Sequence, residues 1–184
     1  MSLKDLEEFL NDDNNEGNNF DWEKEKTDWL TAVDDFYRNI TEWLKPITER
    51  DNSNLKITLD TLVINEEDIG EYEVKKMNIS LKGKRVVLEP IGTMLIGARG
   101  RIDMKGTYGT VRFVLVDKRL NKPNVTVRVV DSTGEKALNE TNKSTSSLPN
   151  DFGWKIITPP PNVQYIPLNE ETFTQSLLSV IRNV

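Results

Sequence analysis

The sequence predicts an α+β fold: a bent antiparallel meander of about seven or eight strands, with a long amino-terminal helix and a carboxy-terminal helix packed on one face. Three observations carry this. Between Lys84 and Lys118, three apolar runs are separated by glycine-bearing turns, and Arg101, Asp103 and Lys105 alternate with Ile102 and Met104. Such period-two alternation marks a half-buried antiparallel strand. Trp22, Trp29, Val33, Phe36, Ile40, Trp43 and Ile47 recur at sevens, fours and threes, which is the spacing of an apolar helical stripe. No strand–helix–strand alternation follows, so a parallel sheet is not expected.

Taken in order, Ser2 caps a short helix with Leu3, Leu6, Phe9 and Leu10 on one side. Asn11 to Asn19 is polar, contains Gly17 and reads as a flexible linker. Residues 1–20 are thus an amphipathic tag on a tether, and residues 21–184 form one α+β domain. Asp21 caps the long helix, Leu30, Tyr37 and Leu44 widen its stripe, and Pro46 ends its regular part. Leu55, Ile57 and Leu59 begin a strand whose apolar phase slips by one at Leu62 and Ile64. The next strand slips likewise, from Tyr72 and Val74 to Met77, Ile79 and Leu81. Each slip predicts a β-bulge, since one extra residue re-aims every later side chain.

Asn65 to Gly70 is an acidic turn, and Lys82-Gly83 makes a tight hairpin into Arg85 to Glu89. Pro90 and Gly92 break that strand and bend the chain into Thr93 to Ala98. Arg99-Gly100 and Gly106 to Gly109 are the next turns. The Val111–Val116 strand is apolar on both faces, hence central. A polar loop leads to a strand at Val125, Val127 and Val129. Ser132 to Asn150, without periodicity, reads as a long mobile loop. Trp154 to Ile157 and Val163 to Ile166 are short strands around the stiff Pro159–Pro161 connection. Asn169 caps a final helix, and Phe173, Leu177, Val180 and Val184 dock it.

Composition narrows the chemistry. There is no cysteine and no histidine. Disulfides, thiolate nucleophiles, histidine-based triads and nearly all catalytic zinc sites are excluded. Carboxylates, Lys, Tyr, Ser and Thr remain, together with oxygen-bound magnesium or calcium. A net charge of −6 argues against charge-driven nucleic-acid or anionic-membrane binding, and suits a soluble protein or one that meets a basic partner. No apolar run approaches the ~20 residues of a membrane span, and the amino terminus lacks a signal-peptide core, so a cytoplasmic location is expected. The five Asn-x-Ser/Thr triplets are then chance features of an Asn-rich chain.

Three constellations are candidates. Glu89 with Arg99, Arg101, Asp103 and Lys105 would converge if consecutive strands pair. Arginine forks suit carboxylate or phosphate, and glycines admit close backbone approach, so these five are the candidate ligand-binding residues. Asp60, Glu73 and Lys75, after a helix carrying Glu23 and Glu25, form an acid followed by Glu-Val-Lys on neighbouring strands. That arrangement resembles the restriction-endonuclease-like superfamily. The resemblance implies carboxylates holding magnesium and a lysine that positions or activates water. The family's Pro-Asp pair and its helical crossover after the motif are missing. Ser144 with Lys143 is a nucleophile pair on paper, set in the long loop.

By elimination, the leading expectation is a non-catalytic intracellular domain that binds another protein in an accessory, adaptor or immunity-type role. It needs no cofactor, no metal and no catalytic residue, and self-association into a homo-oligomer is a further option. The rival is a small-molecule-binding or enzymatic domain using Glu89, Arg101 and Asp103. The magnesium nuclease stands third.

Overall fold

The computed structural model describes residues 21–93, 97–123 and 151–183. The expected amino-terminal helix and linker, the Val125–Val129 strand, the Ser132–Asn150 loop and the Lys143/Ser144 pair lie outside the described residues.

Helix α1 spans Trp22–Thr48, and the Asp21 carboxylate accepts from the Lys24 N–H at its first turn. The seven strands are β1 (Leu55–Glu66), β2 (Gly70–Leu81), β3 (Lys84–Gly92), β4 (Arg101–Gly106), β5 (Gly109–Asp117), β6 (Phe152–Ile157) and β7 (Tyr165–Pro167); helix α2 is Glu170–Ile181. The strands form one open sheet in chain order, each pair antiparallel. The α+β meander is therefore as expected.

Both helices pack on one face. Trp29, Val33, Phe36, Tyr37, Ile40 and Leu44 of α1 share a core with Met77, Ile79, Val86, Leu88, Ile102, Met104 and Phe113 of the sheet, and with Phe173, Leu177 and Val180 of α2. Aromatic rings run through it without a break. Trp29 meets Trp154, Trp154 meets Phe36, Phe36 meets Phe113, Phe113 meets Phe173 and Phe173 meets Trp43, at centroid separations of 4.8–6.3 Å. Offset and tilted pairs in this range add to what burial alone supplies. The Asn169 cap of α2 is a full capping box with Thr172. At the other end of α2, the Val180 and Ile181 carbonyls take the Tyr108 N–H and the Lys84 ammonium. A cation is favourable at that end of a helix dipole.

Three expectations are corrected. Pro46 does not end α1, which runs on to Thr48. In an exposed last turn the ring removes one backbone donor and meets little else, so the turn closes past it. The predicted bulges in β1 and β2 are absent, because their register is unbroken over twelve pairs, from Leu55 opposite Leu81 to Glu66 opposite Gly70. Pro90 does not break β3. The strand continues through Pro90 and ends at Gly92, and the register shifts between them: Pro90 faces Ile102 and Gly92 faces Arg101. The sheet's irregularity is thus at the proline and glycine. Gly92, at φ 138°, occupies backbone space open to glycine, and a Cβ there would lie 3.0 Å from the Glu66 carboxylate.

The slips in β1 and β2 have another cause. β3 pairs with β2 only from Met77 to Leu81. Beyond Met77 the β1–β2 hairpin is a two-stranded ribbon, and such ribbons twist more than wide sheets. Leu55 and Ile57 reach the core from one side of the ribbon, Leu62, Ile64, Tyr72 and Val74 from the other. At its tip, the Glu66 carboxylate accepts from the Tyr72 hydroxyl and from the N–H and hydroxyl of Thr93. These bonds hold the tip against the end of β3.

Candidate functional site

The outer face of the sheet, turned away from the helices, carries the candidate cluster. Ile102 and Met104 enter the core, so the alternate residues of β4 point outward. Glu89, Asp103 and Arg112 lie in one row across β3, β4 and β5. The Arg101 guanidinium grips Asp103 with two parallel bonds, Nε to Oδ1 and Nη2 to Oδ2, both 2.6 Å. This is the bidentate geometry in which arginine pairs best with a carboxylate. The bond to Asp103 raises the pKa of Arg101 further above its ordinary value. Lys105 Nζ donates to Glu89 at 2.5 Å. Asp103 is buried although its strand face is the outer one.

Four of the five predicted residues are therefore brought together, and they bind one another. Arg99 is not with them. Its guanidinium pairs with Glu25 of α1 at 2.8 Å and lies 4.7 Å over the Phe152 ring. It lines a recess of about 290 Å³ with Glu25, Asp28, Asp35, Trp29 and Phe152. The Gly97–Gly100 bend thus turns Arg99 toward the helix, while Arg101, two residues on, keeps the outer face.

The outer face also holds residues that alternation alone passed over. Arg112, opposite Asp103, is exposed and makes no ion pair among the described residues. Asn78 is buried between strands. Its amide donates to Asp60 at 2.8 Å and its oxygen accepts from Arg85 at 2.6 Å and 3.2 Å, so an acid and a base are joined through one carboxamide. Its neighbours Met77 and Ile79 gave Asn78 the look of a chance polar residue in an apolar run. On this face Lys56, Lys76, Arg85, Arg101, Lys105 and Arg112 outnumber Asp60, Glu89 and Asp103, so it is basic although the chain as a whole is acidic. Toward β7 the face is covered. There Val114, Val116 and Tyr165 form a small second core with Leu120, and the buried Lys155 ammonium donates to the Lys118 and Leu120 carbonyls.

The Asp60, Glu73 and Lys75 arrangement does not assemble. Asp60 and Glu73 have opposite parity in an unbroken ladder, so their side chains leave opposite sides of the ribbon. Lys75 reaches Asp34 on α1 at 3.3 Å, and Asp60 is held by Asn78. Among the described residues, no group of three or more acidic side chains is placed to hold a metal ion. Among them too, no helix is long and apolar enough to cross a membrane.

No protein-family model matches the chain, and no curated protein or solved structure matches it significantly.

Proposed function

We propose that this is a cytoplasmic protein-binding domain of accessory, adaptor or immunity type that works without catalysis. One observation carries the reading. The cluster best suited to chemistry is spent on itself, Arg101 on Asp103 and Lys105 on Glu89, on the basic outer face of the sheet. Paired charges on such a face set partner choice and association rate more than affinity. The basic row suits an acidic partner at this face.

The test is affinity capture from the native cell with the wild-type chain and with Lys76, Lys105 and Arg112 all changed to Glu. A defined protein retained by the first and lost by the second supports the reading. A second reading, a carboxylate or phosphate ligand, is favoured by the exposed Arg112, which lies near Arg101 and makes no ion pair among the described residues. It requires that phosphate or a dicarboxylate raise the melting temperature, and that Arg112→Ala abolish the rise.

A further inference from the structure

The two edges of the sheet differ. β7 is three residues long, ends on Pro167 and follows the Pro159–Pro161 segment. Short strands and prolines are the usual means of blunting an edge against pairing with another chain. β1, the opposite edge, has none of these. It runs twelve residues, about twice the usual length, contains no proline and has no bulge. Among the described residues nothing pairs with its outer side.

Its exposed apolar side chains are placed symmetrically. Leu59 is 48% and Val63 53% exposed, the two most exposed large apolar residues of the strand, and they flank Thr61. They share parity and therefore a side of the strand. In an antiparallel pairing of β1 with a second β1, centred on Thr61, Leu59 of each copy faces Val63 of the other. Thr58 then faces Ile64, and Thr61 faces itself. Residues of equal parity meet throughout, as an antiparallel ladder requires. The twofold axis stands perpendicular to the sheet, so the two sheets join with their helices on the same side. A copy of β1 also has the same twist as β1, so the two edges match along their length.

From this symmetry we infer that β1 is a self-pairing edge, through which two copies of this chain join their sheets into one. The inference rests on the reading of this domain as a protein-binding one and names both the surface and the partner.

Sedimentation of the full chain across the micromolar range should give twice the monomer mass. Leu59→Lys with Val63→Lys should return it to the monomer while the far-UV circular dichroism stays as in the wild type and the melting temperature ceases to depend on protein concentration. Because the chain has no cysteine, Thr61→Cys is a clean register probe. Directly opposed residues in an antiparallel pair have Cα atoms about 4.5–5.5 Å apart, within the span of a disulfide. Mild oxidation should link Thr61→Cys into dimers and leave Thr58→Cys unlinked. A monomeric wild type, or equal linking of both cysteine variants, overturns the self-pairing. The capture experiment separates that failure from failure of the broader reading. If the wild type is monomeric and a captured protein is lost on the double lysine change, protein binding stands and only self-pairing falls. If nothing captured depends on β1 or on the basic face, both fall.

Discussion

Gly100 offers the sharpest test of how α1 sits on the sheet. A Cβ at this position would lie 2.2 Å from Cζ3 and 2.5 Å from Cε3 of Trp29. Carbon atoms in contact prefer about 3.5–4.0 Å, so one side must move by more than an ångström. Neither side can move freely. The indole is 1% exposed and abuts Trp154 at 6.0 Å, which itself abuts Phe36. The glycine's carbonyl accepts the Leu115 N–H at 2.9 Å, and the preceding N–H donates to the Leu115 carbonyl, which ties the backbone to β5. Overpacking of a well-packed site costs about 1–3 kcal/mol, and outright loss of a buried tryptophan about 3–5 kcal/mol. Gly100→Ala should therefore cost about 3 kcal/mol. In a Trp29→Leu background the ring is gone and the same methyl meets space. Gly100 is not in the left-handed region, so alanine is unstrained there. The change should then be neutral, or stabilising by up to about 1 kcal/mol through the unfolded chain. Urea unfolding of the wild type, both single variants and the double variant yields the coupling. Additivity within about 0.5 kcal/mol would show that Trp29 does not rest on Gly100, and the placement of α1 would be wrong.

Three further outcomes follow from the same packing. Gly106→Ala would put a Cβ 2.3 Å from the Val180 carbonyl oxygen, a backbone atom, so hydrogen exchange should rise in α2 before it rises in α1. Arg101→Ala leaves the buried Asp103 carboxylate without its partner and should cost about 1–3 kcal/mol in urea unfolding, discounted for the partly exposed guanidinium. Changing both residues to apolar ones should recover much of that loss, and a costless Arg101→Ala would mean the pair is not structural. Burial raises the pKa of Tyr37, Tyr72 and Tyr165, and the Glu66 carboxylate raises Tyr72 further. A phenol raised on folding contributes stability that is whole below about pH 10, the unfolded value, and is lost as pH climbs from there toward the folded value. Alkaline unfolding should therefore start above pH 10 and move up in Tyr72→Phe; phenolate absorbance that rises fully before unfolding refutes this.

The strand pattern was legible because it depends on neighbours two residues apart. Lys82-Gly83 turns tightly with both φ values positive, 48° and 76°, as a two-residue hairpin demands. The stripe of α1 was legible too, except at its end, where Ile47 is left exposed beyond the sheet. What alternation could not show was the width of the sheet at each point. A phase slip looks the same whether an extra residue enters the ladder or an unbroken ribbon twists, and only the extent of β3 decides between them. The site was half legible for a related reason. Arg101, Asp103 and Lys105 fall on one face by parity, and Glu89 joins them by register. Arg99 is separated by a bend, and no local periodicity carries across a bend.

The same twist accounts for the exposed pair on β1. On the first half of the strand the odd-numbered residues face the core; on the second half the even-numbered ones do, and the change falls between Leu59 and Leu62. Leu59 is the last residue of the inward set before the turnover, and Val63 belongs to that set after it has swung outward. Both are stranded on the open side by geometry. Geometry alone, however, requires nothing apolar there. Glu73, opposite Val63 on the neighbouring strand, is charged and exposed, so the fold tolerates charge at this point of the ribbon. An apolar pair held in water on a long edge without proline or bulge favours association with another strand. Its symmetry about Thr61 makes a second copy of this chain the partner that fits without any adjustment of register.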